Sequence, residues 1–96
     1  MRAIALVAAL FVAAPAFADA PATRATLVDA ASAPSGRVIV DNATWRCEGT
    51  ECTATGGAAQ PAPRACRRVV ARIGKVSAFS YKGTELNAEQ LAACNA

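Results

Sequence analysis

The residues of this 96-residue chain whose type and number could carry chemistry are its four cysteines, Cys47, Cys52, Cys66 and Cys94. Cysteines serve thiol exchange, metal binding or cross-linking. Thiol exchange favours Cys-x-x-Cys at a helix start, where the helix N-terminus lowers a thiol pKa. Here four residues separate Cys47 from Cys52, and Glu48 and Glu51 flank them with charges that raise a thiol pKa. A four-thiolate zinc site takes two short Cys pairs, and this sequence offers one near match and no histidine. Cross-linking is the remaining use, and two disulfides are the expectation.

No other residues form a catalytic set. The absence of histidine removes Ser–His and Cys–His nucleophile pairs. The carboxylates Asp29, Asp41, Glu48, Glu51, Glu85 and Glu89 are scattered, without an apolar setting that would raise a pKa. Gly56-Gly57 leads into a Pro-rich stretch and not into a helix, so no phosphate loop is expected. The expectation is a protein that is not an enzyme, with no catalytic, cofactor-binding or metal-binding residue and no cofactor.

The elements that must position the cysteines follow from periodicity. Residues 25–28 have strand character, a turn-like Ala33-Pro34-Ser35-Gly36 follows, and the β-branched residues 37–40 are the clearest strand. Val38 and Val40 share one face, whereas Trp45 and Cys47 have the opposite parity, so a bulge near Asp41-Asn42 is expected to bring both sets to the core. Residues 45–55 predict a hairpin whose four-residue loop, residues 48–51, sets Cys47 opposite Cys52. Residues 56–62 predict a linker with no side chain suited to a core.

From Pro63 the period becomes helical. Ala65, Cys66, Val69, Val70 and Ile73 share one face, with Arg64, Arg67, Arg68 and Arg72 opposite. Pro63 suits the first helical position and Gly74 the position past the end. Val76, Ala78 and Ser80 then alternate with Ser77, Phe79 and Tyr81 as a strand, with Gly83 as a turn. Asn87-Ala88-Glu89-Gln90 has the capping-box form that opens a last short helix, carrying Leu91 and Cys94 on one side.

The expected fold is α+β: a three- or four-stranded antiparallel sheet in β-β-β-α-β-α order, with one helix packed on it and disulfide-stapled. Val38, Val40, Trp45, Val69, Val70, Ile73, Phe79, Leu86 and Leu91 form most of the expected core. The favoured pairing is Cys47–Cys52 and Cys66–Cys94, and the crossed pairings of Cys47 or Cys52 with Cys66 stay open. In the chain-entropy model the favoured bridges contribute about 2 and 3.5 kcal/mol, which rivals the roughly 3–5 kcal/mol that so small a core supplies.

The N-terminus has the three parts of a signal peptide in order. Arg2 supplies the positive charge, residues 3–14 are apolar, and Ala16-Phe17-Ala18 is an A-x-A cleavage site. Ala18-Asp19-Ala20 fits the same rule, so cleavage follows Ala18 or Ala20. The apolar run falls short of the about 20 residues a membrane-spanning helix needs. The domain reading is therefore 1–18 signal peptide, 19–36 mobile N-terminal segment and first strand, and 37–96 disulfide-stapled α+β domain. Export places the four cysteines in a periplasmic or secreted, disulfide-permitting setting.

The net charge of +3 does not by itself call for a polyanion partner. Arg64, Arg68 and Arg72 nevertheless follow one another at i, i+4 and, with Arg67, form the surface feature with most character. The plain reading is a solvated helix face. The sharper one is docking to an anionic envelope component or to another exported protein. Nucleic acid is not an expected partner, because no aromatic residues interleave with the basic ones.

Trp45-Arg46-Cys47-Glu48-Gly49-x-x-Cys52, Ala65-Cys66-Arg67, Gly74-x-Val76-x-Ala78-Phe79 and Leu91-x-x-Cys94-Asn95 together resemble a family of small exported alphaproteobacterial four-cysteine proteins known from a Caulobacter hypothetical protein. The likeness covers residues 38–96. It implies a signal peptide, a four-cysteine domain and a periplasmic or secreted location, and it assigns no catalytic residue. The leading expectation is an exported non-catalytic small envelope protein, acting as a binding or structural module. Alternatives are a thiol-disulfide or metal-handling periplasmic protein, and a small secreted inhibitor or toxin inserting the 48–51 loop.

Overall fold

The computed structural model of the chain describes residues 22–96, so the signal peptide expected over residues 1–18 and both expected cleavage sites lie outside the described residues. Two tight turns build the first half of the sheet. β2 (Val38–Val40) and β3 (Ala43–Glu48) are joined by Asp41 and Asn42, both left-handed at φ 49° and 70°. Two consecutive left-handed residues mark the I′ turn, whose twist matches that of the strands, and Asp and Asn tolerate that conformation. The turn pairs Val40 with Ala43 and Val38 with Trp45. It therefore brings Val40 and Trp45 to one face without the bulge expected from their parity.

β3 turns into β4 (Glu51–Gly56) through Gly49 and Thr50 alone, with Gly49 at φ 63°. The loop is two residues and not four, because glycine takes the positive φ that a glycine-first hairpin turn requires and lets Glu48 pair with Glu51.

β1 (Arg24–Leu27) lies antiparallel between β4 and β5 (Val76–Tyr81), and β6 (Thr84–Glu85) closes the far edge. The sheet is antiparallel with strand order β2-β3-β4-β1-β5-β6, six strands where three or four were expected. Residues 22–24, grouped by sequence with a mobile start, are tied into it. The Ala22 carbonyl accepts from Gly83 N–H at 3.0 Å and from Ser80 Oγ at 3.2 Å, and the Thr23 hydroxyl oxygen accepts from Lys82 N–H at 3.0 Å.

α1 (Ala62–Arg72) and α2 (Ala88–Asn95) cover one face of the sheet. α1 starts earlier than its Pro63 predicts, and Ala62, assigned by sequence to the linker, is buried. The linker is also tied down: the Tyr81 hydroxyl donates to the Ala58 carbonyl at 2.6 Å. A Cβ on Gly57, at φ 109°, would lie 2.5 Å from that hydroxyl, so only glycine fits. α2 opens with the expected capping box, Gln90 N–H donating to Asn87 Oδ1 and Asn87 N–H to Gln90 Oε1.

The core lies between the helices and this face. Trp45 is fully buried and stacks on Phe79 at 6.0 Å between ring centres, and Phe79 stacks in turn on Tyr81. Val40, Val69, Ile73 and Leu86 are buried as expected, while Val38, Val70 and Leu91 pack at its margin. Val76 departs from its expected side. Leu27 pairs with Val76 and Thr26 with Ala78, so β5 carries one extra residue, Ser77, and the bulge returns Val76 to the core beside Phe79.

Candidate functional site

Both disulfides are formed in the favoured pairing. Cys47 and Cys52 face each other across the β3–β4 hairpin with Cα atoms 4.0 Å apart, near the spacing of a non-hydrogen-bonded pair. Cys66, on the buried face of α1, joins Cys94 in the last turn of α2 with Cα atoms 5.9 Å apart. This second bridge is closed off from solvent, Cys66 being 0% and Cys94 4% exposed, whereas Cys47 is partly exposed. No described cysteine is free, and the described residues hold no cluster of three or more metal-ligating side chains.

The α1 arginines divide into two groups. Arg68 forks onto Asp41, with Nε donating to Oδ2 at 3.1 Å and Nη2 to Oδ1 at 3.2 Å, and Gln60 Nε2 donates to the same carboxylate at 3.2 Å. The hydrogen bonds from Arg68 and Gln60 hold the Asp41 carboxyl below its ordinary pKa, and Asp41 raises that of Arg68 in return. Arg72 Nη1 donates to the Ile39 carbonyl at 3.4 Å. Arg68 and Arg72 thus fasten α1 to β2 and its turn. Arg64 lines an open depression of about 520 Å³ over that turn, with Asp41, Asn42 and Gln60. Arg67 is exposed. Of the expected line of Arg64, Arg68 and Arg72, two members are engaged with β2 and its turn.

The opposite face of the sheet carries no helix among the described residues. Apart from Ile39, which stands beside Thr44 at the edge, the side chains of β3 and β4 on this face are polar and in register: Thr44 beside Thr55, and Arg46 beside Thr53, itself beside Arg24. Glu48 beside Glu51 forms the next row, and the Thr26 hydroxyl donates to the Glu51 carboxylate at 3.3 Å. Arg37 precedes β2 on the Arg46 side. Arg37, Thr44, Arg46, Thr53, Ala54 and Thr55 line an open depression of about 470 Å³. Neither Arg37 nor Arg46 has an ion pair among the described residues.

Sequence reasoning singled out the helix arginines and passed over Arg37 and Arg46. The signal was present in the alternation of Thr44 and Arg46 with Trp45 and Cys47, and of Thr53 and Thr55 with Cys52 and Ala54. The Glu48–Glu51 segment, the candidate inserting loop, is a tight two-residue turn with both glutamates in strands.

Among the described residues, no helix is long and apolar enough to cross a membrane. A model of a family of unknown function, DUF8200, matches residues 6–96. No curated protein and no solved structure matches the chain.

Proposed function

The chain belongs to the DUF8200 family of unknown function, and we propose that it is an exported, non-catalytic envelope protein, periplasmic or secreted, that works as a binding or structural module. The observation that carries this reading is the pair of formed disulfides, which persist in oxidising compartments and are rare where thiols are kept reduced. The signal-peptide pattern of residues 1–18 supports the same location. The likeness to small exported alphaproteobacterial proteins adds a Gram-negative setting to the proposal.

The bridges bind the two layers of the fold in different ways. Cys47–Cys52 locks the hairpin, and Cys66–Cys94 holds the C-terminal helix to the first one. A rigid body of this kind suits presentation of a surface to a partner, because little order remains to be lost on binding.

The test is to recover the protein from periplasm and culture medium, determine its N-terminus and map its peptides without reduction. The expected result is a chain starting at Asp19 or Pro21 with both bridges formed. A chain confined to the cytoplasm with residues 1–18 retained overturns export. A reduced Cys47–Cys52 pair in the exported protein overturns the non-catalytic reading in favour of thiol exchange.

A further inference from the structure

We propose that the uncovered face of the sheet, centred on Arg37 and Arg46, docks an acidic polysaccharide that bears carboxylate groups; the inference rests on the exported envelope reading above.

The placement of charge is the first ground. Arg46 on β3 stands beside Thr53, and Arg37, one residue before the Val38 that pairs with Trp45, lines the same depression on the outer side of Arg46. Arg37 and Arg46 have no ion pair among the described residues, Glu48 and Glu51 standing in the next row of the face, so both guanidinium groups are open to an anion from outside. Guanidinium groups grip carboxylates through two parallel hydrogen bonds, which gives this pairing its geometric preference.

The remaining lining is the second ground. Thr44, Thr53 and Thr55 surround the arginines, and each hydroxyl both donates and accepts, as sugar hydroxyls do. Trp45, Phe79 and Tyr81 are all buried on the other face, so the depression has no aromatic side chain. A protein partner's hot spot wants an apolar or aromatic anchor, and a bilayer surface wants inserted apolar side chains. Ile39 is exposed on the same face, beside Thr44 at the sheet edge, and is a lone apolar side chain that does not line the depression. Charge and hydroxyl contacts in a broad, open depression match a hydrated, extended, acidic chain better than either. Without ring stacking, affinity comes mainly from charge, so neutral polysaccharide should not bind and added salt should weaken the complex.

The experiment uses the disulfide-bonded exported protein with polygalacturonate, dextran and phosphatidylglycerol vesicles as probes. The native protein is expected to bind polygalacturonate at low salt, to release it at ~0.5 M salt and to ignore dextran. Arg37→Ala/Arg46→Ala is expected to weaken polygalacturonate binding by about tenfold or more, and Arg64→Ala/Arg67→Ala by less than about twofold. All four side chains are exposed, and circular dichroism with a thiol count verifies that both variants are folded and bridged. No binding to polygalacturonate, equal loss in the two variants, or stronger binding to vesicles overturns the proposal, the last in favour of a lipid surface. Because these measurements use purified protein, they can fail while the localisation test succeeds, and the reverse.

Discussion

The side-chain amide of Asn95 pairs with both backbone polar groups of Val76: Val76 N–H donates to Oδ1 at 2.9 Å, and Nδ2 donates to the Val76 carbonyl at 2.7 Å. One side chain at the end of α2 thus does for β5 what another strand would do. It also sits next to Cys94, so the same turn of α2 is tied to α1 by the bridge and to the sheet by the amide.

Asn95→Ala removes both partners of Val76, which is 1% exposed. Leaving such groups unpaired costs about 1–3 kcal/mol. Urea unfolding of the oxidised protein is expected to show a lower midpoint with an unchanged slope, and an unshifted midpoint would mean that water replaces the amide without penalty.

The two disulfides differ in loop length, 5 residues of separation against 28. Replacing Cys66 and Cys94 together by alanine is expected to destabilise by about 3.5 kcal/mol, and Cys47 with Cys52 by about 2 kcal/mol. Under native conditions with graded reductant, trapping of thiols should find Cys47–Cys52 opened first, since Cys47 alone among the four is partly exposed. Simultaneous opening would show that reduction proceeds through global unfolding.

Asp41 has its pKa lowered in the folded protein, chiefly by the hydrogen bonds from Arg68 and Gln60. A depressed carboxylate pKa adds stability that is present above the unfolded value, 3.8, and is lost as pH falls through the folded one. Asp41→Asn keeps a residue suited to φ 49° and removes the charge. Its stability curve is expected to lie below the native one at pH 7 and to converge with it below about pH 4. Curves that stay parallel down to pH 2 would show that the Asp41 charge adds nothing.

Much of the local architecture is legible in sequence, and the long-range part is not. The α2 capping box needs only Asn87 and Gln90, three residues apart, and the helical stripe of Cys66, Val69 and Ile73 needs only its own spacing. The bulge at Ser77 leaves no mark in composition, so Val76 is assigned to the wrong face by parity alone. The fate of Arg68 depends on Asp41, distant in the chain and brought close by an I′ turn whose Asp-Asn sequence does not announce it as plainly as Asn-Gly does. The central place of β1 is equally hidden, because its four residues look like any short strand.

Gly57 and Tyr81 are coupled through space. Gly57→Ala sets a methyl group 2.5 Å from the Tyr81 hydroxyl and is expected to destabilise by about 1–3 kcal/mol, with its φ of 109° adding strain. Tyr81→Phe removes the hydroxyl, and with it the bond to Ala58. The double variant should then be more stable than the sum of the single effects by at least about 0.5 kcal/mol, as read by thermal or urea unfolding. Strict additivity would mean that the alanine is accommodated by backbone movement away from Tyr81.

The position of β1 between β4 and β5 also governs the order of events when the chain emerges N-terminus first. The β2-β3-β4 meander can pair as soon as residue 56 is out, but residues 24–27 wait for residues 76–80 before both their edges are satisfied. The earliest strand to appear can join β4 at once but gains its second neighbour only when β5 arrives. Until β5 has emerged the sheet is a four-stranded fragment with one edge of β1 open, so the first strand to appear is among the last to be fully enclosed.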